Sequence, residues 1–157
     1  LKAGKKHGLK LVGARAQNWL RQEKSYRAFG NELGRDATPL EAALDRFVDL
    51  SKDFQGKQAM LDVGIRSKCC TVLIDGPADT DPWGKEALVL DGVKIGRLTS
   101  GGYSVAFGKQ IGMAYVRPDL AAVGTKLQVR MNRELWDCVV VEDSPFDPSN
   151  ARIRVDG

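Results

Sequence analysis

Histidine is nearly missing from this sequence, cysteine is sparse, and no apolar run is long. Of 157 residues, one is a histidine (His7) and three are cysteines (Cys69, Cys70 and Cys138). A structural zinc site draws four ligands from Cys and His. The odd cysteine count offers no CxxC spacing, and adjacent Cys69 and Cys70 point to opposite faces of a strand. No metal is expected, and reduced, buried thiols in a cytoplasmic setting are. No apolar stretch approaches the ~18 residues needed to cross a bilayer, so no membrane partner is expected. A nucleophile–base pair is lacking, as is a GxGxxG fingerprint. Gly101-Gly102 lacks the GK[ST] ending of a phosphate loop and reads instead as a tight turn needing positive φ. There is no initiator Met before Leu1 and no signal-type apolar segment, so a piece of a longer protein is expected.

What is present is a core and a scattered charge. Hydrophobic residues make up 43% and charged residues 28%, which fits a folded chain better than a disordered one. Lysine and arginine total 24 against 20 acids, a net charge of +4. The surplus crowds the N-terminus at Lys2, Lys5, Lys6 and Lys10, and elsewhere the signs alternate. A nucleic-acid surface needs a continuous basic stripe with stacking aromatics, so no nucleic-acid partner is expected.

Apolar periodicity divides the chain. Residues from Ala14 toward Phe29 read as a helix, with Trp19, Leu20 and Glu23 on one face and Arg21 and Lys24 beside it. Gly30 breaks it. Thr38, Pro39 and Glu41 then form an N-cap, a first-turn proline and a capping-box partner, predicting an amphipathic helix over Pro39 to Leu50. Asp53 to Gly56 reads as a loop and Lys57 to Gly64 as a short helix. Beyond Lys68 the period changes. Strands are predicted over Cys69–Ile74, Ala87–Leu90, Val93–Leu98, Ile111–Val116, Lys126–Met131 and Leu135–Glu142. Asp91-Gly92 is a hairpin signal, and Asn132-Arg133 turns between the last two strands. Six short strands with few helices predict a small antiparallel barrel or sandwich. By residue type alone, Arg21 and Glu23 are a helical surface pair beside Trp19, Tyr26 and Phe29.

The same residues carry a family likeness. LRxEKxYRxxGxEL over Leu20–Leu33, followed by TPLEAxL over Thr38–Leu44, resembles the aminomethyltransferase fold. That fold belongs to the glycine-cleavage T-protein and to the C-terminal halves of dimethylglycine and sarcosine dehydrogenases. Asp53-Phe54-Gln55-Gly56-Lys57, Thr99-Ser100-Gly101-Gly102-Tyr103, Gly108-Lys109, Ala114-Tyr115-Val116, Gly124-Thr125 and Pro145-Phe146-Asp147-Pro148 match in order. Lys24 and Arg27 resemble the dehydrogenase branch, since the T-protein usually reads LRxEAG here.

The resemblance implies an α+β fold, the helical end of a folate-binding domain over residues 1–56 followed by a β-barrel over 57–157. It implies tetrahydrofolate as cofactor, FAD in an upstream domain, and an N-methyl amine whose one-carbon unit passes to the folate. The rest of the full-length chain would be a partner, and the acidic residue near the folate nitrogen would lie upstream. No catalytic residue is therefore expected here, and the segment alone is expected to be inactive. Arg21 matches a folate-contacting arginine, with Glu23 beside it. Phe29 stands where relatives often have Tyr or Trp, Tyr103 offers a stacking face, and Arg152 could meet glutamyl carboxylates. Alternatives are the T-protein itself, another folate-dependent demethylase, or a noncatalytic barrel that binds a partner.

Overall fold

The second half of the chain closes on itself because its strands alternate. The computed structural model describes residues 1–152 and 154. Its strands are β1 (Lys68–Ile74), β2 (Ala87–Leu90), β3 (Val93–Ser104), β4 (Lys109–Val116), β5 (Lys126–Met131) and β6 (Glu134–Val141). They form a closed antiparallel barrel in the order β1-β4-β3-β2-β5-β6. Cys70, Val72 and Ile74 on β1, Leu127, Val129 and Met131 on β5, and Cys138 and Val140 on β6 point inward at every second position. Leu88, Leu98, Ala114 and Val116 complete the core. Each fully buried Val, Ile or Leu contributes about 1.5–3 kcal/mol. Closure also removes the unpaired edges that an open sheet of this size would expose.

Two-residue hairpins set the register. Asp91-Gly92 and Asn132-Arg133 take positive φ at both positions, the geometry that matches strand twist. The expected strands are all present, but β3 runs six residues further than its apolar pattern suggests. Gly101 and Gly102 are therefore not a turn. They lie inside β3, pair with Gly112 and Ile111, and have no positive φ. A bulge between Leu98 and Ser100 takes Thr99 out of the backbone register with β4.

The first 65 residues are helical only in pieces: α1 (Lys2–Lys5), α2 (Ala14–Glu23) and α3 (Lys57–Val63). On α2 the inward residues are Gln22 and Glu23, with Trp19 half-buried, while Leu20 is 58% exposed. Leu20 thus departs from the face predicted for it. Among the described residues no helix is long and apolar enough to cross a membrane.

The helix expected over Pro39 to Leu50 does not form. Its capping box does: the Glu41 N–H donates to Thr38 Oγ1 at 3.2 Å and the Thr38 N–H to Glu41 Oε2 at 2.8 Å. Beyond that turn the carbonyls are taken by other parts of the chain. The Leu40 carbonyl accepts from Lys68 Nζ (3.0 Å), that of Glu41 from the Cys69 N–H (2.7 Å), and that of Ala42 from Arg27 Nε (3.0 Å). Those oxygens would have carried the i→i+4 ladder. Ala43 then turns to a φ of 55°, and only a 3₁₀ turn follows at Asp45–Phe47. Phe47 is left 69% exposed, so no apolar stripe is buried to recover the loss.

Cys69, Cys70 and Cys138 are free and buried, and burial pushes each thiol up to about 12. Glu41 is the opposite case. Arg66 grips it with Nε at 2.9 Å and Nη2 at 3.0 Å, and the Arg66 and Thr38 backbone N–H groups add two more donors. These donors hold its carboxyl at about 2, against an ordinary 4.5. A depressed folded pKa gives stability that is complete above the unfolded value and disappears as pH falls from 4.5 toward 2. The thermal midpoint of Arg66→Ala should therefore lie below wild type at neutral pH. Melting curves between pH 7 and pH 3 should show that gap narrowing as the solution becomes acidic; a constant gap would place the effect of Arg66 elsewhere.

Candidate functional site

Helix α2 is fastened to the barrel by two buried carboxylates. Glu23, at the end of α2, accepts from Ser104 Oγ at 2.5 Å and from the Ala106 N–H at 3.4 Å, both through Oε1. Among the described residues no hydrogen bond falls on its Oε2. Glu32 follows Gly30, whose φ of 91° turns the chain back toward the barrel. Its side chain is fully enclosed and accepts four hydrogen bonds. Thr99 Oγ1 (2.7 Å) and Ser100 Oγ (2.5 Å) reach Oε1; Arg21 Nη1 and the Ala28 N–H, both at 2.9 Å, reach Oε2. The Tyr115 hydroxyl donates to the Glu32 carbonyl at 2.8 Å, and burial raises that phenol above its usual pKa.

Consecutive strand residues normally face opposite sides of a sheet. The bulge at Thr99 is what lets both Thr99 and Ser100 face one carboxylate. The two glycines that follow have a related use. A Cβ at Gly102 would overlap the indole of Trp19, and one at Gly101 would overlap the Pro82 ring. The smooth strand is the floor on which Trp19 and Pro82 lie. Arg15 stacks on both Trp19 and Trp83, 5.7 and 5.5 Å from the ring centres, and pairs with Asp81.

The C-terminal segment straps the end of α2. The Phe146 N–H donates to the Glu23 carbonyl (3.1 Å) and Ser144 Oγ to that of Lys24 (2.8 Å). Lys24 Nζ reaches the Asp147 carbonyl and Asn150 Oδ1. Arg27 joins Asp143 at 2.7 Å. The Lys24–Arg27 signature therefore holds the strap. Beside it opens a cavity of about 690 Å³ bordered by Lys24, Tyr26, Arg27, Phe47 and Asp143.

The five residues singled out in the sequence are not one cluster. Arg21 lies against Glu32, and Glu23 lies against Ser104. Arg21 Nε donates to Asn18 Oδ1 (2.8 Å), and Nη1 also to the Tyr26 carbonyl (2.9 Å). Its Nη2 is enclosed and has no acceptor among the described residues. Phe29 is 84% exposed, Tyr103 is half-buried on β3 opposite Gln110, and exposed Arg152 stacks on Phe146. Glu32, Thr99 and Ser100, which gather beside Arg21, are not singled out by the sequence although all three stand within matched motifs. An acid between Gly30 and Leu33 was the available signal.

A six-stranded closed antiparallel barrel with a helix pinned to it by carboxylates makes this an α+β module. A model of the glycine cleavage T-protein C-terminal barrel domain matches residues 67–147, and one of the GCVT N-terminal domain matches residues 1–52. The chain belongs to the glycine-cleavage T-protein family of aminomethyltransferases. It is 36% identical over 166 aligned positions to the mitochondrial dimethylglycine dehydrogenase of Rattus norvegicus, matching 100% of this chain and 19% of that protein. An aminomethyltransferase of Caldanaerobacter subterraneus is 36% identical over 146 positions, 90% of this chain and 38% of the relative. The crystal structure of the glycine cleavage system aminomethyltransferase T from Bartonella henselae superposes with a TM-score of 0.82 at 24% identity, over 94% of this chain and 42% of that one. This chain thus spans about a fifth of the first relative and about two fifths of the second.

The floor beneath Trp19 gives a direct test. Gly102→Ala should displace the indole and weaken the docking of α2, costing about 1–3 kcal/mol as other overpacked sites do. Thermal melting would report the loss and tryptophan emission the displacement. Unchanged values for both would mean that Trp19 does not rest on β3.

Proposed function

We propose that these residues are the C-terminal part of a tetrahydrofolate-dependent aminomethyltransferase module of a flavoenzyme that demethylates an N-methyl amine, as in dimethylglycine or sarcosine dehydrogenases. The observation that carries this is the match along the whole chain to dimethylglycine dehydrogenase. FAD would be bound by residues outside this chain, which has no GxGxxG fingerprint. A folate, when bound, supplies the nitrogen that accepts the one-carbon unit. A free-standing aminomethyltransferase is the second reading, favoured by the 36% identity to the Caldanaerobacter protein.

Arg21 and Glu23 carry the atoms that suit a folate. Among the described residues, Arg21 Nη2 has two donor hydrogens and no acceptor, and Glu23 Oε2 receives no donor. A reduced pterin carries both N–H donors and ring acceptors of the kinds these two atoms lack. An enclosed guanidinium nitrogen without a partner is costly, and a ligand acceptor would relieve it. Phe29 and Tyr103 offer ring faces, and Arg152 a cation for glutamyl carboxylates. What these side chains do is bind and orient. Holding the folate nitrogen within reach of the one-carbon unit, away from water, is the catalytic contribution of such a pocket.

Tetrahydrofolate titrations compare the 157-residue segment, the full-length protein and its Arg21→Ala variant. The segment should bind weakly or not at all and show no turnover. The full-length variant should lose about 1.5–3 kcal/mol of binding, the range for a hydrogen bond to a charged group. Micromolar binding by the segment would mean the site is self-contained. Wild-type affinity in the variant would remove Arg21 from the folate site.

A further inference from the structure

Arg21 has five N–H hydrogens on a rigid plane. Three are taken: Nε–H by Asn18 Oδ1, and the two on Nη1 by the Tyr26 carbonyl and Glu32 Oε2. With Nε and Nη1 both held, the direction of Nη2 is no longer free. A carboxylate placed only to neutralise an arginine usually takes both fork nitrogens, as Glu41 does with Arg66. Glu32 instead meets Nη1 alone with Oε2 and gives Oε1 to the barrel. Nη2 is left enclosed and, among the described residues, without an acceptor.

We propose that Glu32 is a positioning residue for folate recognition, transmitting the position of the Thr99 bulge to the free nitrogen of Arg21. The inference rests on the folate reading above and adds the residue that determines how Arg21 is presented. The chain of contacts is continuous. β3 and β4 fix the bulge, the bulge brings Thr99 Oγ1 and Ser100 Oγ to Glu32 Oε1, and Glu32 Oε2 fixes Arg21 Nη1. The Tyr115 hydroxyl and the Ala28 N–H hold the Glu32 backbone and its second oxygen. Specificity for folate is in this view set partly by the barrel, through a residue with no surface of its own.

The test is a double-mutant cycle on the full-length protein, read as tetrahydrofolate Kd with the melting midpoint recorded beside it. Glu32→Gln keeps the volume and an acceptor for Thr99 and Ser100 but turns an NH₂ toward Arg21 Nη1. It should weaken binding about fivefold or more, and Arg21→Ala about tenfold or more, the scale of a lost hydrogen bond to a charged group. The double variant should bind no more than about twofold worse than Arg21→Ala, because coupled residues do not add. Ser100→Ala, a milder change, should shift Kd in the same direction while the protein still melts cooperatively, and it serves if Glu32→Gln fails to fold. If the two losses multiply, Arg21 keeps its folate role and the positioning role of Glu32 falls. If Arg21→Ala binds as wild type, both fall. A lower melting midpoint with unchanged Kd in Glu32→Gln or Ser100→Ala would reduce Glu32 to a structural brace.

Discussion

A carboxylate without access to water has to be met by donors from the protein. Glu32 meets that requirement with partners from three places: the last turns of α2, the turn at Ala28, and the bulge of β3. Because the donors belong to different elements, satisfying the charge also fixes those elements relative to one another. Removing one side of a buried pair leaves an uncompensated charge that costs about 3–5 kcal/mol, far more than the pair itself contributes. The contact therefore acts less as a source of stability than as a constraint on how helix and barrel can be arranged.

Other features of the junction follow from it. With the end of α2 tied to Glu32, Trp19 one turn earlier must lie on β3, and only a strand bare of side chains can accept it. Glu23 secures the same helix to the β3–β4 connection through Ser104 and Ala106. Residues 143–152 close over the helix end through Lys24, Ser25 and Arg27. Residues more than a hundred positions apart thus meet at one helix end.

The surface around that helix has a different character from the barrel's. Large exposed apolar side chains concentrate before residue 66, among them Leu11, Val12, Leu20, Phe29 and Phe47. Inward-facing alternation leaves the barrel few of them.

Local rules were enough for the barrel's strands and hairpins. Alternation at positions such as Val72 and Ile74 and turn chemistry at Asp91-Gly92 act over a few residues, so a single sequence displays them. The family likeness also drew attention to Arg21 and Glu23. Tertiary structure decided the rest. Thr38 and Glu41 formed their capping box, yet no helix followed, because Lys68, Cys69 and Arg27 claimed the carbonyls it needed. Gly101-Gly102 looked like a turn because glycine permits positive φ, but here its use is the absent Cβ beneath a distant indole. Nothing in its sequence neighbours marks Glu32 for burial. Its burial depends on hydroxyls 67 and 68 residues away that a bulge turns to the same side. Contacts over such separations leave no periodic trace in the chain, since each partner is chosen by the closed barrel rather than by its neighbours.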